Sequence, residues 1–194
     1  MADELIRQDK PENMKTERLK RTEVVKGAIL TYCRDTVKIP NGNIREYDYI
    51  AHQGAAAVLP VDDEGRLILV RQYRNALDRF TLEIPAGGLE SPDEPTVQAA
   101  ERELTEETGF IAGKIDFLIS IFPTVAYSGE KIDIYLARDL SRAERHLDED
   151  EYINVEAWKS EDLENMIYDG KLQDAKTIAA VMSYKVAKDT GRIN

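Results

Sequence analysis

"GGLESPDEPTVQAAERELTEETGF", residues 87–110, is the stretch on which the reading of this chain turns. Four of its carboxylates, Glu101, Glu103, Glu106 and Glu107, fall within seven residues near the end of a helical pattern. Negative charge there opposes the helix dipole, and like charges three and four residues apart repel, each at a cost of about a few tenths of a kcal/mol. Ser91, Pro92 and Glu94 read as a helix start: a cap, a first-turn proline and a capping-box partner. Gly109 reads as the left-handed stop. Between them Val97, Ala100, Leu104 and Thr108 form a stripe expected to face a core. Glu103 and Glu107 then lie one above the other, with Glu106 three residues from Glu103. Aligned carboxylates make a hard-oxygen site suited to Mg²⁺ or Mn²⁺, and a bound cation would remove the repulsion. The bland reading is a solvated acidic face, the usual fate of a run of charge.

Upstream, residues 1 to about 22 read as polar and loosely held. "VVKGAILTYCRDTVKI" reads as one extended segment, "PNGN" (40–43) as a turn and "IREYDYIAH" as a return strand, an N-terminal hairpin or small sheet. "GAAAVLPV" is a buried strand, "DDEG" a turn, and "RLILVRQYR" the clearest strand, apolar first and cationic at its end. The glycines of "FTLEIPAGG" let the backbone come close to something. Downstream, "KIDFLISIFP" and "EKIDIYLARDL" are strands flanking the loop "TVAYSG", and "YINVEAWK" is another. "SEDLENMIYDG" and "DAKTIAAVMSYKVAKDTG" are helices, each with an acidic or hydroxyl start and a glycine after the end. The fold class is α/β: helices around a mixed sheet.

The chain has 194 residues, 42% of them apolar, enough for one packed domain and a short extra lobe. A net charge of −11 lacks the dominant basic face of a nucleic-acid binder, and an anionic substrate would have to be met by local cations. Two histidines and one cysteine disfavour a zinc site of nitrogen and sulfur ligands and leave oxygen as the available donor. No segment reaches the roughly 18 consecutive apolar residues of a membrane span, and the charged N-terminus has no apolar signal core. The single Cys33 fits a reducing compartment, so a cytoplasmic protein is expected.

From Gly88 the stretch runs glycine, five residues, Glu94, seven residues, then "RELTEETGF" from Arg102 to Phe110. That fills every position of the Nudix box, and the chain resembles the Nudix hydrolases. "VRQYR" and "EIPAG" within residues 54–90 resemble the ADP-ribose pyrophosphatase branch. The resemblance implies a mixed β-sheet sandwiched between helices, with an N-terminal antiparallel extension over residues 1–52 and the hydrolase domain over 53–194. It also implies metal-dependent hydrolysis of a nucleoside diphosphate linked to another moiety. Glu103 and Glu107 would be metal ligands, Glu106 a supporting one, and Arg102 would hold the helix through an ion pair. Gly88 begins the loop into the helix, Ala86 gives its carbonyl oxygen to a metal, and Arg74 reaches the substrate phosphates.

In "LDEDEYINV" the resemblance places the general base at Glu149 and a further metal ligand at Glu151. Glu130 is used near the substrate. The loop before it departs from the branch, holding Thr124, Val125 and Ala126 where a Ser-Pro-Gly-like turn is usual, so weaker sugar discrimination is expected. Tyr47, Asp48 and His52 fall near substrate-contacting positions of an N-terminal sheet that this branch exchanges between two subunits, which implies a homodimer. GDP-mannose or FAD as substrate, or a sensor that binds without cleaving, are the alternatives.

Overall fold

The computed structural model describes residues 14–145, 147 and 152–193. They fall into two compact units: one runs to His52 and takes in Thr124–Gly129, the other comprises Gln53–Pro123 and the chain from Glu130.

The first unit is an antiparallel sheet of β1 (Glu17–Lys26), β2 (Thr31–Lys38) and β3 (Ile44–Ala51), in that order. The structure departs from the sequence pattern at two places in this sheet. The expected loose segment to residue 22 is a strand from Glu17, and the expected single run 24–39 is two strands folded about Gly27–Leu30. Charge pairing, rather than a core, holds β1. Arg21 donates two hydrogen bonds to Asp35 across the ladder, at 2.7 and 2.6 Å, and its guanidinium lies 3.4 Å from the centre of the Tyr49 ring. The turn at residues 40–43 follows expectation, with Gly42 at φ +87°. Thr124–Gly129 adds to this sheet: Ile50 N–H donates to the Tyr127 carbonyl at 2.7 Å.

The second unit holds two sheets. One orders β10 (Ile153–Trp158), β5 (Leu67–Arg74) and β6 (Arg79–Glu83). The other orders β7 (Ala86–Gly88), β4 (Ala55–Pro60), β9 (Ile132–Arg142) and β8 (Phe110–Ile121). This second sheet is mixed, because β4 pairs parallel with β9 while its other pairs are antiparallel. Every residue of β4 is buried, which is why it reads as a continuous apolar run. Ala56 and Val58 pack on one face against Ala99, Ala100 and Leu104 of α1 (Thr96–Thr108). Ala55, Ala57 and Leu59 pack on the other with Leu67, Leu69 and the helices α2 (Ser160–Tyr168) and α3 (Ala175–Asp189).

Helix α1 starts one turn later than its sequence suggests. Pro95 occupies the cap position and makes no side-chain cap bond. Proline disfavours helical backbone at the residue before it, so Glu94 stays outside the helix. Its carboxylate accepts instead from the Glu90 N–H at 2.6 Å. Gly109 closes the helix at φ 69°, as expected. In α3 the start is as read: the Asp174 side chain accepts from the Thr177 N–H. In α2 the hydroxyl of Ser160 lies one residue inside the helix rather than at its cap.

Candidate active site

The buried face of α1 contains two carboxylates. Glu103 is 7% exposed and Glu107 2%. A solvated acidic face would leave both in water, and burying a carboxylate costs several kcal/mol unless something compensates. Part of the compensation is Arg102, whose Nη1 lies 2.5 Å from Glu103 Oε1 and 3.1 Å from Glu106 Oε2. Its Nη2 donates to the Gly88 carbonyl at 3.1 Å, and its Nε lies 3.6 Å from Glu94 and 3.7 Å from Glu90. Burial opposes the Arg102 charge, but Glu103 and Glu106 outweigh it and the guanidinium holds its proton more firmly than usual. One guanidinium thus serves four carboxylates, with Glu107 close by along the same helix.

Gly87 makes room for this arrangement. A Cβ there would fall 2.7 Å from Glu103 Oε2 and closer still to Oε1, so the Glu103 carboxylate rests against the bare backbone of β7. The close approach that the glycines foretold is therefore to a side chain of α1. All-oxygen donors, an excess of negative charge and a carboxylate seated beside Ala86–Gly88 suit a hard divalent cation. Among the described residues no three Asp, Glu, His or Cys side chains form a closed ion cage. Two of the implied donors are not among those side chains: the Ala86 oxygen is backbone, and Glu151, like Glu149, lies outside the described residues.

Arg74, at the end of β5, donates to Glu83 through Nε (2.8 Å) and Nη2 (2.7 Å). This bond raises the Arg74 pKa, burial opposes it, and the charges of Glu83 and Glu107 add to it. Glu83 is 2% exposed and also accepts from Thr81 at 2.6 Å and from Lys176 of α3. Thr177 is fully buried, and its Oγ1 accepts from the Ile84 N–H at 2.8 Å. The start of α3 thus anchors the segment leading into Ala86. Glu83 and Lys176 were not singled out from the sequence. An acidic residue inside the apolar run "FTLEIPAGG" was the available signal for Glu83, whereas Lys176 lies 93 residues away from it and carries none.

Tyr47, Asp48 and His52 belong to the first unit. Tyr47 is 51% exposed and lines a groove of about 300 Å³ with Val125 and Tyr127, and Asp48 accepts from the Tyr32 hydroxyl at 2.6 Å. Glu130, in the second unit, is half-buried.

The buried Glu83 has a consequence for stability. Burial raises its pKa, but Arg74 and Lys176 overcome that and hold it at about 2, below the ordinary 4.5. The contribution is therefore full above pH 4.5 and is lost as pH falls from there toward 2. Urea unfolding of the wild type and Glu83→Gln should differ by roughly 3 kcal/mol at neutral pH and converge toward the acid end. A difference independent of pH would remove the ion-pair account.

A NUDIX domain model matches residues 51–181. The chain is 35% identical over 171 residues to an ADP-ribose pyrophosphatase of Bacillus subtilis (strain 168), covering 87% of this chain and 92% of that protein. It is 34% identical over 165 residues to a methanol dehydrogenase activator of Bacillus methanolicus, covering 84% and 89%. A crystal structure of an ADP compounds hydrolase superposes with a TM-score of 0.79 at 26% identity, covering 92% of this chain and 97% of that one. With its complete box, its buried glutamates and these matches, the chain belongs to the Nudix family. Enzymes of this family generally depend on a divalent metal, and this chain is a Nudix hydrolase.

Proposed function

We propose that this chain hydrolyses the diphosphate bond of ADP-ribose or a related nucleoside diphosphate sugar, giving a nucleoside monophosphate and a sugar phosphate. The burial of Glu103 and Glu107, one turn apart, with Glu103 seated against Gly87, carries the reading. The names of its relatives, an ADP-ribose pyrophosphatase and an ADP compounds hydrolase, support the substrate class. Glu103, Glu107, the Ala86 carbonyl and Glu151 would hold Mg²⁺, with Mn²⁺ an acceptable substitute, and Glu106 supports them. A bound divalent cation neutralises the diphosphate and acidifies nearby water. Arg102 keeps Glu103 and Glu106 aligned. Glu149 takes the proton of the attacking water as its oxygen bonds to one phosphorus. The bond from that phosphorus to the bridging oxygen breaks, and the other phosphate leaves with the electron pair, its charge met by Arg74.

Residues 1–52 would form a dimerisation extension exchanged between two copies, with Tyr47, Asp48 and His52 beside the substrate. Exposed Leu19, Val24, Val25 and Ile44 on β1 and β3 support a covered sheet. A reducing cytoplasm suits the lone Cys33.

Phosphate release from ADP-ribose with Mg²⁺ and an added phosphatase separates an enzyme from a binding-only sensor, which releases none. Two further results are expected. Glu149→Gln should lower the rate and spare metal affinity, while Glu151→Gln lowers both. Losses below about tenfold in each, roughly 1.4 kcal/mol, would place the base elsewhere. The loop at Thr124–Ala126 lacks proline, and Val125 is 82% exposed at its tip. Preference for ADP-ribose over ADP-glucose or GDP-mannose, read as a ratio of kcat/KM, should be modest and should rise in Val125→Pro. Strict rejection of the other sugars, unchanged by the substitution, would remove this role for the loop.

A further inference from the structure

A cavity of about 400 Å³ opens in the second unit between the β5–β6 hairpin and the start of α3, within the size range of small-ligand sites. Arg74, Arg79, Lys171 and Lys176 line it against only two carboxylates, Glu83 and Asp174. Four positive charges, less these two and less Asp169, which pairs with Lys171 at 2.8 Å, leave an excess of one, on a chain whose net charge is −11. Anion binding needs such a local reversal.

Lys176 is the informative member. Its side chain is 11% exposed, on Glu83 and 3.1 Å from Asp174. Glu83 is already matched by the two-bond contact from Arg74 and by the Thr81 hydroxyl, and Asp174 already caps α3. Lys176 therefore shares Glu83 with Arg74 and stands beside Asp174, and both cations line the cavity together with these carboxylates. At the mouth Phe80 is 63% exposed and Leu77 55%, with Phe80 edge-on to Tyr73 at 5.4 Å between ring centres. A cationic wall beneath an open aromatic face suits a phosphate that carries a ring.

We propose that this cavity is a phosphate-ester subsite in which Lys176 and Arg74 bind the phosphate and Phe80 receives the attached ring. The proposal rests on the substrate reading above and deepens it. The ester is either the nucleotide half or the sugar half of the substrate, and these share the recognising chemistry.

The test is calorimetric titration of the metal-free protein with AMP, ribose 5-phosphate and inorganic phosphate. One of the two esters should bind more tightly than inorganic phosphate, and which one does so identifies the half. Lys176→Gln should weaken that ester at least about tenfold, and Lys176→Arg should restore it to within about threefold. Phe80→Ser should weaken the ester but leave inorganic phosphate unchanged. In turnover, Lys176→Gln should raise KM for ADP-ribose by a factor similar to its binding loss while kcat changes little. If Lys176→Gln does not fold, Lys171→Gln and Phe80→Ser carry the test, because both replace exposed side chains. Ester binding that survives all of these substitutions, or no ester binding by a wild type that hydrolyses ADP-ribose, overturns the subsite alone. Ester binding that follows the substitutions in a protein inert toward ADP-ribose keeps the subsite and overturns the substrate reading.

Discussion

Glu107→Gln is expected to lower kcat by about a thousandfold, roughly 4 kcal/mol of barrier, while the protein remains folded. Glu107 is 2% exposed on a helix that also buries Glu103 and places Glu106 one residue before it. Glutamine keeps the shape of the side chain and removes one charge from a crowded acidic group. In metal-free buffer the variant should therefore be as stable as the wild type or slightly more so, since like charges four residues apart repel. Thermal unfolding with and without Mg²⁺ adds a second readout: Mg²⁺ should stabilise the wild type and leave the variant nearly unchanged. A variant that turns over at the normal rate would remove Glu107 from the metal site.

The next largest effect is expected at a residue with no side chain. Gly87→Ala would push a methyl group into the space held by the Glu103 carboxylate. The obstacle is the far end of a flexible side chain, and the backbone at Gly87 is not among the positive-φ glycines. The fold should therefore yield at a cost of about 1 kcal/mol or less, the usual range for a site that can relax. Glu103, however, has to leave its seat, and a displacement of about 1 Å near reacting groups is worth on the order of a hundredfold in rate. Gly88→Ala provides the comparison, because a Cβ there meets nothing within 4 Å. Activity lost equally in both variants, or in neither, would show that the Gly87 approach does not set the position of Glu103.

The parts of the fold legible in the sequence are those set by local pattern. β4 and β5 announce themselves by unbroken apolar runs, and Gly109 and Gly42 mark their turns through positive φ. Spacing alone placed Glu103 and Glu107 on one side of a helix, and the structure puts that side at the core. The helix start was misjudged because Pro95 competes with the capping signal at Ser91 and Glu94 and prevails. β1 was missed because its strand is sustained by cross-strand ion pairs such as Arg21–Asp35 rather than by apolar alternation.

Contacts across long stretches of chain were out of reach for a different reason. The resemblance gave Arg74 a role toward the substrate phosphates, but nothing in the sequence shows that it shares Glu83 with Lys176 from another element. No periodicity reports a pairing over 93 residues. At Gly87 the glycines of the sequence announced a close approach, but that the approaching group is the Glu103 carboxylate follows only from where that side chain lands.

The central claim is hydrolysis at phosphorus, supported by the acidic face of α1. Its most direct test is ³¹P NMR of ADP-ribose incubated with the protein and Mg²⁺ in ¹⁸O-labelled water. The account predicts AMP and ribose 5-phosphate, with the label on the phosphate of one product, and no reaction once the metal is chelated. Intact ADP-ribose, or cleavage with the label on carbon rather than phosphate, would contradict it.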